Sequence, residues 1–246
     1  MVAFSKTLLV FLLIAASAAE APDPPLSETR LTISTLVRED IFAGLLENDM
    51  QRLARAERNI QLLLQQRPES KAALLGWQAS TVLYRAVRAR ENGRTTEYSE
   101  QYQRSLALFE EARNLASENV AVAAVTGGAF ALLADRLPAE HRADGWSRAY
   151  NAYQTLWKQQ GPAVDRLPLH IRGELLAGLA QSAQRTGRSE ETAQFIEKIQ
   201  TLLPDTPYAN IAQQWKESPE SAASTSITCR TCHESGRLAA RLAGLK

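Results

Sequence analysis

The stretch IRGELLAGLAQSAQRTGRSEETAQFIEKIQTLLPDTP, residues Ile171 to Pro207, decides the fold. A first apolar helix stops at Gly187, the residue type that ends helices because it accepts a left-handed backbone. Ser189 is placed to cap a second helix, and Glu190 and Glu191 fall in its first turn, where the helix dipole favours acids. Pro204 closes that helix. The reading is a helical hairpin.

The same 3.6-residue periodicity extends over nearly everything upstream. Leu36, Val37, Ile41, Phe42, Leu45 and Leu46 form one apolar face. Leu53, Ala56, Ile60, Leu63 and Leu64 form the next, which ends at Pro68. A third helix is expected from Ser70 to about Asn92, with Gly93 as its stop, and a fourth carries Tyr98, Tyr102, Leu106, Phe109 and Ala112. Val120 to Leu133 is so rich in apolar, Ala and Gly residues that it predicts a central helix, with Gly127 and Gly128 allowing a neighbour to come close. Further helices are centred on Trp146 to Trp157, Leu169 to Thr186, Ser189 to Leu203 and Tyr208 to Lys216. Strand-like alternation is nowhere evident, so the fold class is all-α.

The Ile171–Pro207 unit, with its small residues and closing proline, resembles a tetratricopeptide repeat, and Phe42 to Pro68 is similar, with Gly44 and Ala56 at the small-residue positions. The resemblance covers most of Thr35 to Trp215 and implies antiparallel helical hairpins stacked into an α-solenoid. Pro68 and Pro204 lie four repeat lengths of about 34 residues apart. A second echo joins Asp135-Arg136-Leu137-Pro138, ahead of His141-Arg142, to Asp165-Arg166-Leu167-Pro168, ahead of His170-Ile171-Arg172. One loop-to-helix joint is used twice, each proline suiting a first helical turn; the alternative is a site shared by the two histidines.

The ends differ from this body. Lys6 and the apolar run Thr7 to Ala15, followed by Ala16-Ser17-Ala18, read as a signal peptide over residues 1–18, with a second cut site at Ala19-Glu20-Ala21. Residues 19–34 form a Pro-containing extension, 35–216 the helical-repeat domain, and the Ser, Thr, Glu and Pro of 217–228 a linker to a tail at 229–246. An exported, periplasmic protein without a transmembrane segment is expected. The 28 basic and 27 acidic residues come into balance once Lys6 is removed. That balance offers no electrostatic footprint for nucleic acid.

The tail opens with Cys229-Arg230-Thr231-Cys232-His233, which holds both cysteines of the chain. Two thiols three positions apart followed by an imidazole form the attachment pattern of haem c: the sulfurs bond to the porphyrin vinyl groups, and His233 is the axial iron ligand. A disulfide or thiol-redox pair is the main alternative. Structural zinc is a third, short of one ligand. Motifs of phosphate binding, GxSxG and HExxH are missing, so hydrolase and nucleotide-binding readings have no support.

The motif resembles those of c-type cytochromes. Only thirteen residues follow His233, too few for the small cytochrome c domain. The cytochrome c′ group, a four-helix bundle with its motif near the C-terminus, is a better positional match, although there the motif lies within the last long helix. The implied protein is a monohaem electron carrier or haem-based assembly factor on a helical scaffold. Its redox partner protein or peptide would sit on the concave face of the repeats. His141, His170 and Met50 are the candidates for a sixth iron ligand. Both histidines fall at helix starts, where the dipole favours the neutral imidazole that binds iron. Arg237 and Arg241 can pair with haem propionates, since guanidinium matches carboxylate geometry. Leu238, Leu242 and Leu245 share one helical face.

Overall fold

The computed structural model describes residues 37–228, all within the larger of two contact units, Thr32–Lys246. The expected signal peptide at 1–18, the 19–34 extension and the whole 229–246 tail, with Cys229, Cys232, His233, Arg237 and Arg241, lie outside the described residues. Among these residues there are nine α-helices and no strand: α1 (Glu39–Glu47), α2 (Met50–Gln66), α3 (Lys71–Glu91), α4 (Thr95–Leu115), α5 (Val120–Leu133), α6 (Ala139–Gln160), α7 (Leu169–Arg185), α8 (Ser189–Leu202) and α9 (Pro207–Glu217). The all-α expectation holds. No helix among the described residues is long and apolar enough to cross a membrane.

Local chemistry sets the boundaries. Gly93 and Gly187 both adopt positive φ, 74° and 75°. After Gly187 the Arg188 amide returns to the Ala183 carbonyl and the Gly187 amide to Gln184; after Gly93 the Arg94 amide returns to Ala89 and the Gly93 amide to Arg90. These are Schellman closures, which satisfy the last carbonyls of a helix and need a residue free of Cβ strain. The α3/α4 and α7/α8 hairpins therefore turn on the same Gly-Arg device. Asn119 caps α5 by accepting from the Ala121 and Val122 amides, and Asp49 caps α2 by accepting from Arg52.

Four sequence expectations change in detail. Ser189 is the first residue of α8, and Arg188 takes the cap position without a side-chain bond. Pro138 and Pro168 stand one residue before their helices, as caps with extended backbone. Only Gly127 faces a neighbour, Tyr153, while Gly128 has open space beside it. The 34-residue phase drawn from Pro68 and Pro204 is not kept, because α3, α4 and α6 have 21, 21 and 22 residues and the starts of α1, α3, α5 and α7 are unevenly spaced.

Successive helices pack against each other, and α3, α5 and α7 also touch in that order. α5 accordingly sits among α3, α6 and α7, which explains why its sequence is apolar on nearly every side. Its Phe130 is fully buried, as are Leu83 and Tyr84 of α3 and Leu176 and Leu179 of α7. At the N-terminal hairpin, Leu53 of α2 fills the space beside Gly44 of α1, and the buried Asp40 carboxylate accepts from Arg55 at 2.6 and 2.7 Å and from Arg52 at 3.2 Å.

Candidate functional site

The residues that lead into the cysteine motif are fastened to α7. Gln181 is 1% exposed on an otherwise apolar helix face, where a buried amide needs partners. Its Oε1 accepts from the Ile227 amide at 2.9 Å, the Ser226 hydroxyl at 3.0 Å and the Thr228 amide at 3.3 Å. One turn further along, the Arg185 guanidinium donates to the carbonyls of Ala222 and Thr225, the latter at 3.0 Å. From α9, Trp215 Nε1 donates to Thr225 Oγ1 at 2.6 Å. Ile227 is fully buried.

Composition had marked 217–228 as a linker. The structure shows a 3-10 turn at Pro219–Ala223 and then a strap whose polar groups are taken up by Gln181, Arg185 and Trp215. Serine and threonine, the residues that gave the segment its linker character, here supply hydroxyls to a specific network. The signal available in the sequence was Gln181 itself, a polar side chain among Leu176, Leu179, Ala180 and Ala183.

Cys229 follows Thr228 directly in the sequence, and Thr228 is itself held on α7 through Gln181. Even fully extended chain takes Cys232 no more than about 14 Å from that point. Beside it lies a cleft of ≈ 560 Å³ lined by Leu132, Asp135, Arg136, Arg185, Ile211 and Ser226. Its cations are already engaged. Arg136 donates to both carboxylate oxygens of Glu91 at 2.9 Å and lies over the Tyr84 ring, and Arg185 reaches Asp135 at 3.4 Å. Asp135 in turn accepts from Trp146 Nε1 at 2.7 Å.

The two candidate histidines are not brought together. The contacts Tyr153–Gly178 and Trp146–Arg185 run in opposite directions along α6 and α7, so the helices are antiparallel and their N-termini lie at opposite ends of the pair. At 1.5 Å per residue the 22 residues of α6 span about 33 Å, and His141 and His170 each open one of these helices. His141 is packed into an aromatic stack, with its ring 4.5 Å from that of Tyr102 and its Nδ1 2.5 Å from the Tyr98 hydroxyl. His170 is 43% exposed, with Glu174 Oε1 at 3.7 Å. Met50 is the half-buried first residue of α2, in the N-terminal hairpin.

The repeated Asp-Arg-Leu-Pro element is one joint built twice. Leu137 and Leu167 are extended at ψ 156° and 145°, each after a 3-10 turn. Arg142 and Arg172 each reach back to a carbonyl of their own loop, Leu137 and Asp165. Its geometry is that of a structural joint.

Among the described residues no cluster of His, Cys, Asp and Glu could hold a metal ion, and Cys229, Cys232 and His233 lie outside them. No protein-family model, curated protein or solved structure matches this chain.

Proposed function

We propose that the chain is an exported monohaem c-type cytochrome-like protein, serving electron transfer or haem-based assembly in the periplasm. The observation that carries this reading is the Cys229-Arg230-Thr231-Cys232-His233 sequence, starting one residue beyond a strap anchored on α7. The donor chemistry fits the group: each thiol adds its S–H across a vinyl double bond, and the imidazole ligates iron. When bound, haem supplies a one-electron iron couple. The protein's part is placement. Gln181 and Arg185 hold the root of the motif, which keeps the distance from the body to the attachment point constant. Arg237 and Arg241 are proposed to pair with the propionates. Of the candidates for a sixth ligand, His170 is the more available, because Tyr98 and Tyr102 engage His141.

The body is proposed to be a tetratricopeptide-like solenoid that docks a redox partner protein or peptide on its concave face. Support comes from the succession α3, α5, α7 and from the matching Gly-Arg turns of two hairpins.

The test is to express the full chain in a host that attaches haem and to weigh it with and without an alkylating reagent. The expected result is a mass increased by one haem, with no alkylation and a Soret band that survives denaturing extraction. Cys232→Ala is expected to abolish covalent retention. Exported, colourless protein whose sulfurs are joined only to each other would overturn the reading and leave a helical adaptor with a C-terminal disulfide.

A further inference from the structure

A second cleft lies at the α8/α9 end of the body. There α8, α9 and the Pro219–Ala223 turn enclose an open groove of ≈ 690 Å³, whose apolar lining is Ala193, Ile196, Trp215, Pro219 and Ala222. An apolar groove at the last helix of a stacked array is where a further helix would pack, since terminal units otherwise expose the face that a neighbour covers.

We infer that this groove is the docking site of the chain's own C-terminal segment, with Leu238, Leu242 and Leu245 as its anchors.

Three observations converge on that occupant. The first is reach. Thr228 is held on Gln181, and Gln184, which lines the groove, lies three residues further along α7, a rise of about 4.5 Å. The ten residues from Thr228 to Leu238 span at most about 35 Å, so the segment reaches the groove with slack. The strap itself forms part of the wall, because Trp215 bonds Thr225 and lines the groove at once.

The second is pattern. Leu238, Leu242 and Leu245 stand at i, i+4 and i+7, the spacing by which an amphipathic helix enters a hydrophobic groove. The third is charge. Between residues 189 and 223 the chain carries six acidic residues against two basic, whereas after Cys229 it carries Arg230, Arg237, Arg241 and Lys246 against Glu234 alone. The segment and this stretch of chain are opposite in net charge, while the groove lining itself carries one charge of each sign, Glu197 and Lys216. A covalent tether of this length also gives an effective concentration in the millimolar range, which favours this chain's own segment over that of a second copy.

The inference does not depend on haem, and its test does not either. The full-length protein is digested with trypsin under native conditions, and cleavage after Arg237 and Arg241 is followed by mass. Ala193→Arg adds bulk and positive charge at an exposed lining residue without touching the core, and Leu242→Ser removes one anchor. Each variant is expected to be cut at those two sites roughly tenfold faster than the wild type, with unchanged circular dichroism, because the segment opens more often. The double variant is expected to be no faster than the quicker single one, the mark of two changes acting on one contact. Equal rates in all forms would overturn the assignment. Protection that fades on dilution would also overturn it, because the occupant would then be a second copy.

Discussion

Tyr153 of α6 lies against the bare backbone of Gly178 in α7, close enough that a Cβ at Gly178 would collide with the ring. The same ring faces Gly127 of α5, where an added Cβ would stand 3.1 Å from it. One tyrosine therefore spaces three helices around the centre of the body, and it is 3% exposed. Gly178→Ala is expected to destabilise the fold by about 3 kcal/mol, the cost of forcing atoms into a packed interior. Gly128→Ala, with nothing within 4 Å, is expected to be neutral or to stabilise by about 0.5–1 kcal/mol through helix propensity. Urea unfolding of the two variants checks the contrast. Equal effects would mean that Tyr153 does not depend on a glycine at 178.

Helix-forming residues and their stops were legible in the sequence, because periodicity and Gly or Pro punctuation act over a few residues. Gly93, Gly187 and Pro204 each end an element where their backbone preferences require. What depends on distant partners was not legible. Gly127 and Gly128 are indistinguishable as neighbours in sequence, and only the arrival of Tyr153 separates them. The strap was read as a linker because its composition is that of a solvated chain; Gln181, more than forty residues upstream, is what fastens it. The Cys229–His233 reading rests on five consecutive residues of sequence alone, whereas the anchorage of the strap that precedes them depends on Gln181 far upstream.

Alkaline pH will unfold the protein earlier than its ion pairs alone would dictate. Tyr98 and Tyr102 stack at 5.6 Å between ring centres, and the His141 ring packs against both, at 5.8 and 4.5 Å. Burial pushes the Tyr102 hydroxyl up to about 12, with the Asp144 carboxylate adding to the rise and Arg148 opposing it. Burial also pushes Tyr98 up, reinforced by Tyr102 and Glu140 and opposed by Arg90. The folded form thus keeps phenolic protons that the unfolded chain releases near pH ~10. The contribution is complete below that pH and is lost as pH rises through about 12. Stability measured from pH 8 to 12 should fall steeply above 10, and the Tyr98→Phe, Tyr102→Phe double variant should flatten that fall. An unchanged slope would sink the assignment.

Asp40→Ala should loosen the first hairpin. Asp40 is 3% exposed and its carboxylate takes hydrogen bonds from two arginines, so its loss removes the acceptor that Arg52 and Arg55 share and leaves Arg52 with Asp49 at 3.8 Å. Breaking one side of such a buried arrangement costs about 3–5 kcal/mol, reduced here because both guanidinium groups are about a quarter exposed. A melting temperature within a degree of the wild type would show that the pair contributes nothing net.

Gln181→Leu tests whether the root of the cysteine motif is held or only adjacent. The replacement fills similar space but removes the acceptor shared by the Ile227 and Thr228 amides and the Ser226 hydroxyl. Buried donors left without a partner cost about 1–3 kcal/mol, so the strap should open locally while the helices stay folded. Hydrogen exchange at Ile227 and Thr228 is expected to accelerate roughly 10- to 100-fold with little change in melting temperature. Gln181→Glu keeps an acceptor oxygen at the same reach and should restore most of the protection. Under the proposed haem attachment, the leucine variant should also show a broader spread of reduction potentials than the wild type, because the strap leading into the motif is no longer held. Exchange at 227 and 228 that is equally slow in the leucine variant would mean that burial of Ile227, and not the amide of α7, holds the motif in place.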